Sequence, residues 1–187
     1  LFVLYLSKNI SIELFGEYGY LTSLIFFFSL IIGFESGTLQ ARKIIDCESI
    51  YQESEIYFKL IFDTLFMWLL CSLIFLFFRL NISFYLSSLI LLIALFESLN
   101  SELKKILISK NLNLFSSYID LIRVSLWSVV FILYSNFLNS KIVELELIFL
   151  FFLIASFSSF LLILIKIKSK FNFSYLKFNF SFFKKKK

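Results

Sequence analysis

The chain contains five uncharged apolar runs, at residues 18–34, 64–78, 80–96, 124–140 and 147–165. Each is close to the roughly 17–25 residues that a helix needs to cross a bilayer, the second if it extends back across Asp63 to about Leu60. Apolar residues make up 60 % of the chain and charged residues 17 %, against about 45–50 % and about 25 % in soluble domains. We therefore predict an all-α polytopic bundle of five full spanning helices, with residues 1–6 as the end of a sixth.

The basic residues are divided unequally between the two sides of the predicted membrane. Fifteen of the 18 lie in the segments after the first run, after the third run and after the fifth; the exceptions are Lys8, Arg79 and Lys141. The positive-inside rule places the majority, including the C-terminus, in the cytoplasm. We expect a helix bundle over residues 1–165 and a basic, aromatic cytoplasmic tail over residues 166–187.

The composition also bears on the source of the chain and on the function classes that it allows. The 28 Phe, with no Pro and no His, favour an AT-rich bacterial genome and hence the inner membrane. The chain begins without Met, so we expect a fragment. Without His, and with only Cys47 and Cys71, it offers no zinc site and no His-dependent catalysis. We expect no enzyme activity, no cofactor and no metal. The positive charge follows membrane topology, so we expect no nucleic-acid partner.

A stripe of small residues is the clearest packing signal. Ser29, Gly33, Gly37 and Ala41 recur every four residues and so share one helix face. Such a stripe, with Gly33 and Gly37 as a GxxxG motif, lets another helix backbone approach closely. We predict close helix packing here, with a sliding or hinge surface as the alternative.

Several acidic residues lie near the ends of the apolar runs. Asp63 follows Lys59 by one helical turn, which favours either an interfacial ion pair or a polar group that lines a pathway. We expect Glu35 and Glu97 to be solvated at helix ends.

The apolar residues between positions 99 and 114 recur at helical spacing, so this segment either continues the third helix or lies in the headgroup plane.

Asp120 and Arg123 lie one helical turn apart at the start of the fourth run and are able to pair. One interpretation is a topology anchor. The other is a cationic group facing a polar cavity, because a guanidinium is always charged and binds phosphate oxygens in a bidentate manner.

Two stretches resemble one transporter family. Residues 15–44, FGEYGYLTSLIFFFSLIIGFESGTLQARKI, are similar to the second helix of Wzx-type polysaccharide flippases, with an FG-x-YG opening and a glycine-containing exit into Arg42. Residues 96–127, with an acidic residue after a hairpin, a basic amphipathic helix and Arg123 four residues before Trp127, resemble the passage from the fourth to the fifth helix of that family. The family belongs to the multidrug/oligosaccharidyl-lipid/polysaccharide superfamily.

The resemblance implies one lobe of a two-lobed transporter that moves undecaprenyl-pyrophosphate-linked oligosaccharide for surface polysaccharide such as O-antigen. It implies as partners the bilayer, the lipid-linked oligosaccharide, and either a C-terminal lobe or other polysaccharide assembly proteins. Cationic side chains would hold the diphosphate, with Arg123 and Arg42 as candidates, and Asp120 and Asp63 are further pathway candidates. The alternatives are a drug or ion antiporter of the same superfamily, a polymerase-like membrane enzyme and a non-transporting scaffold.

The predicted topology can be tested with the two cysteines. Cys47 should be cytoplasmic and Cys71 buried in the membrane, because the basic majority marks the cytoplasmic side. An impermeant maleimide added to intact cells should therefore label neither cysteine. Labelling of Cys47 before the inner membrane is opened would invert the topology.

Overall fold

The computed structural model of the chain describes residues 2–45, 47, 50–77, 82–137 and 144–168, and within these ranges its regular elements are all helical. The helices are α1 (Phe2–Asn9), α2 (Ile12–Gly33), α3 (Ser36–Ile45), α4 (Ile50–Phe77), α5 (Phe84–Ser109), α6 (Asn113–Asp120), a π-helical segment (Leu121–Leu126), α7 (Trp127–Phe137) and α8 (Leu145–Lys168).

Five helical stretches of the described chain are long and apolar enough to cross a membrane. They are α2, α4, α5, the continuous stretch Asn113–Phe137 and α8. The prediction of an all-α polytopic bundle with five spans is confirmed. The predicted tail lies, from residue 169 onward, outside the described residues.

The observed helices extend beyond the apolar runs because charged residues do not end them. α4 begins at Ile50, and α5 continues through Glu97 to Ser109, so most of the 99–114 segment continues the third helix. After the first run the chain does not continue as one helix, because α2 ends at Gly33 and a separate helix, α3, follows. Phe34 and Glu35 adopt positive φ values of 39° and 55°, a left-handed conformation that cannot continue a right-handed helix.

The central element of the bundle is α5. In its most apolar 18-residue window 61 % of the residues are buried, against 17–39 % in the other four spans. It packs against α2, α3, α4, α6 and α8, and its backbone carbonyl at Leu91 accepts a hydrogen bond of 2.8 Å from the indole N–H of Trp68 on α4. Because α5 is surrounded by other helices, its side chains determine which polar groups can pair in the interior of the bundle.

The apolar core is divided along α5 into separate clusters. Leu86–Ile93 of α5 pack with Trp127 of α7 and Phe149 of α8 at one end of the bundle. Leu103–Leu107 pack with Tyr57 of α4 and Ile163 of α8 at the other end, which we call the basic end. Polar residues of α5, from Glu97 to Glu102, lie between these two clusters.

The small-residue stripe lies against α5 even though a helix break divides it. Gly33 ends α2 and Gly37 is in the first turn of α3, and both are buried. A methyl group on Gly37 would lie 2.5 Å from the carbonyl oxygen of Glu102, and one on Gly33 would lie 2.8 Å from its Oε1. Ser29 and Ala41 are partly buried. Both glycines therefore allow close approach to the same turn of α5.

Replacing Gly37 by alanine should destabilise the protein by about 1–3 kcal/mol, because the new methyl group meets backbone atoms that cannot move independently. Gly16→Ala is the matched control, since nothing lies within 4 Å of its added carbon and alanine is the better helix former. Thermal unfolding in detergent measures both. Equal melting temperatures for the two variants would contradict the predicted close contact.

Candidate functional site

Two carboxylates are buried within α5, a helix that is long and apolar enough to cross a membrane. Glu97 and Glu102 are only 6 % and 4 % exposed. A hydrocarbon layer of about 30 Å holds about 20 helical residues, and every 20-residue window of Phe84–Ser109 includes both of them. Charged groups at that depth need partners and are functional candidates by default.

The polar residues of α5 point in two directions. At about 100° per residue, they fall on two faces separated by about a third of a turn. One face meets α8 and the stretch from α6 into the π-helical segment, and it carries Glu97, Asn100 and Lys104. The other meets α2 and α3, and it carries Ser98, Glu102 and Lys105.

The first face forms what we call the arginine network, comprising Glu97, Lys104, Asp120, Arg123 and Ser156. The guanidinium of Arg123 lies between two carboxylates: its Nε is 3.8 Å from Oε2 of Glu97 and its Nη2 is 3.4 Å from Oδ1 of Asp120. Lys104 pairs with the other oxygen of Asp120. The hydroxyl of Ser156 donates a 2.7 Å hydrogen bond to Oε1 of Glu97. With two positive and two negative groups, the network is neutral.

The contacts of Arg123 are ion pairs rather than close hydrogen bonds. Charge-assisted N–H···O bonds are typically about 2.7–2.9 Å long, and both Arg123 distances exceed that range. The side chain is only 15 % exposed, and a guanidinium carries five donors. Arg123 is thus held electrostatically while its donors remain available for a better-placed acceptor.

A π-helical segment, Leu121–Leu126, presents Arg123 to α5. Ile119 before it and Trp127 after it are both buried in the core. In a regular α-helix these two residues would stand about 80° apart around the axis. The wider π turn accommodates one extra residue, so both remain in the core while Arg123 lies between them, and such π segments are frequent at functional sites.

On the second face, Glu102 is enclosed by the small-residue stripe. Its Oε2 accepts a hydrogen bond from the backbone N–H of Gly37, and its Oε1 accepts one of 2.7 Å from Lys105. Both oxygens of the carboxylate therefore have partners. This arrangement fixes α3 against α5 and is structural in character.

The residues predicted from the sequence fall into different surroundings. Asp120 and Arg123 lie together in the arginine network. Arg42 is exposed on α3, and Asp63 is half-buried on α4. Of the described residues, neither Asp63 nor Lys59 takes part in an ion pair, because Lys59 points outward where water competes for it.

The expectation that Glu97 is solvated at a helix end is wrong, since the residue lies at the midpoint of α5 and is buried. Glu35, in contrast, is exposed. Sequence reasoning also missed Glu102, Lys104 and Ser156. The available signal was the spacing of Glu97, Asn100 and Glu102 within one continuous helix, which predicts polar contacts on more than one face.

The chain matches no family model, no curated protein and no solved structure. Across the ranges that the structure describes, no three His, Cys, Asp or Glu residues are grouped so that they could hold a metal ion.

A double-mutant cycle tests the pairing of Glu97 with Arg123. Glu97→Gln should destabilise the protein by about 3 kcal/mol, because it leaves a buried cation with less compensating charge. Adding Arg123→Gln should recover part of that loss, giving a coupling energy of about 1–3 kcal/mol.

The matched control is Glu35→Gln, an exposed carboxylate that should change the unfolding free energy by less than about 0.5 kcal/mol. Unfolding in detergent measures the parent protein, the two single variants, the double variant and the control. Strictly additive effects of Glu97→Gln and Arg123→Gln would mean that the two charges do not interact.

Proposed function

We propose that this chain is one lobe of a membrane transporter of the flippase type, which carries undecaprenyl-pyrophosphate-linked oligosaccharide across the bacterial inner membrane. The observation that supports it is the buried guanidinium of Arg123, which lies between Glu97 and Asp120 at distances longer than hydrogen bonds. The resemblance of residues 96–127 to Wzx-type flippases supports the same assignment.

The burial of Arg123 favours a pathway over a topology anchor. Its side chain is only 15 % exposed and is paired with Glu97, whereas anchoring arginines lie at the membrane interface. Ionisable groups within a membrane mark substrate pathways and pair with one another. A diphosphate taken from water requires charge and hydrogen-bond donors, and a guanidinium supplies both in fixed geometry.

In this proposal the diphosphate exchanges with a carboxylate at Arg123. The substrate oxygens take the position facing the guanidinium and form the close bonds that Glu97 does not form. The network is neutral, so the arriving negative charge leaves Glu97 in excess. Glu97 then takes up a proton, which removes its negative charge, and it keeps the hydrogen bond that the hydroxyl of Ser156 donates to it.

The other predicted residues have secondary roles in this proposal. Arg42 is exposed on α3 and meets the diphosphate first, and Asp63 on α4 lines the pathway. The basic end faces the cytoplasm, and a second lobe completes the cavity together with other polysaccharide assembly proteins. The competing drug or ion antiporter would use Glu97 as a cation site and would not need a guanidinium.

Arg123→Ala should abolish export of surface polysaccharide, and Arg123→Lys should restore only part of it, because an ammonium supplies the charge without the planar pair of donors. The measurement is surface polysaccharide in cells that depend on this protein, normalised to membrane-inserted protein. Full export by Arg123→Ala would leave Arg123 without a role in transport.

The charge-swapped protein, Glu97→Arg with Arg123→Glu, separates substrate binding from stability. It keeps an opposite pair at the same place, so its melting temperature should exceed that of Glu97→Arg alone. Export should remain absent, since the guanidinium now lies on α5. Export restored by the swap would mean that Arg123 acts only through its pairing with Glu97.

A further inference from the structure

A cleft at the basic end of the bundle lies apart from the arginine network. It has a volume of about 580 Å³ and is enclosed by α4, α5, α6 and α8. Its polar lining consists of Glu53, Tyr57, Lys110 and Lys166, and the remainder is apolar or aromatic, including Phe115. The volume is within the range of about 300–1,000 Å³ for ligand sites.

The polar and apolar parts of the cleft are at different levels. Lys110 caps the end of α5, and Lys166 lies in the last turn of α8. Leu107 and Leu162 line the cleft about one turn deeper on the same two helices. The upper level is that of lipid headgroups and the lower level that of acyl chains, since basic residues mark the end of a membrane span.

The two ammonium groups lie over aromatic rings. Nζ of Lys166 is 5.6 Å from the ring centre of Phe115, and Nζ of Lys110 is 5.5 Å from that of Tyr57, distances at which cations and rings attract. Lys110 also pairs with Glu53. That pair is neutral, so among the described residues that line the cleft the net positive charge is that of Lys166.

The start of α6 lies beside the same cleft. Leu112 caps this helix without a side-chain hydrogen bond to the first turn, and both Leu112 and Phe115 line the cleft. Backbone N–H groups in the first turn of a helix bind phosphate oxygens readily.

We propose that this cleft binds an anionic phospholipid, with its phosphate between Lys166 and the start of α6 and the upper part of an acyl chain against Leu107 and Leu162. The single excess positive charge matches the single negative charge of a phosphodiester. The apolar walls distinguish a lipid from free phosphate, which has nothing to place against them. Basic clefts between membrane helices recognise anionic headgroups in this way.

Lipid binding to the purified, delipidated protein tests the proposal, with phosphatidylglycerol, phosphatidylcholine and inorganic phosphate as probes in native mass spectrometry and thermal unfolding. Phosphatidylglycerol should bind and raise the melting temperature more than phosphatidylcholine does, and inorganic phosphate should do neither. Lys166→Gln should weaken phosphatidylglycerol binding about fivefold.

Lys59→Gln is the matched control, because Lys59 is also exposed near the basic end but does not line the cleft. It should bind phosphatidylglycerol as the parent protein does. Equal binding by Lys166→Gln and Lys59→Gln overturns the proposal, as does equal binding of the two lipids. A Lys166-dependent response to inorganic phosphate alone overturns the assignment to a lipid. None of these outcomes depends on polysaccharide export.

Discussion

The carboxylates of Glu97 and Glu102 require partners, because ionised groups within a membrane are costly unless they are paired and hydrogen-bonded. The helices around α5 supply those partners. α3 contributes the backbone N–H of Gly37, α8 contributes Ser156, and the span after α6 contributes Arg123. These polar contacts specify the register of the bundle more narrowly than apolar packing does, since lipid tails are as apolar as leucine and provide little drive for helices to associate.

The negative charges of the two carboxylates are compensated by different kinds of contact. Glu102 has close partners for both oxygens and is locked beside two glycines. Glu97 has one close hydrogen bond and one long ion pair. A charge held by long contacts can exchange partners at low cost, whereas a fully bonded one cannot. The face toward α3 is therefore the fixed side of α5, and the face toward Arg123 is the side on which contacts can exchange.

Local sequence patterns were sufficient for the spans and for the pair within one turn, Asp120 and Arg123. They were insufficient for Glu97. A hydropathy pattern predicts that a helix ends at its first charged residue. Glu97 instead lies inside a helix, where it is bonded to Ser156, a partner 59 residues away in the sequence. The break at Phe34 and Glu35 was also missed, since neither residue type favours positive φ. Gly33 and Gly37 face the same part of α5 in spite of that break, because both lie against Glu102.

The π-helical segment that presents Arg123 determines how the span would respond to the deletion of one residue. Such a segment is one residue longer than the α-helix it interrupts, so removing a single codon within Leu121–Leu126 leaves seven steps between Ile119 and Trp127. In a regular helix seven steps bring these two residues to within about 20° of each other. A deletion in a membrane span ordinarily rotates everything after it away from the core. Here α7 would keep its packing, so the span can lose one residue and remain a helix. Arg123, however, would lose its present position.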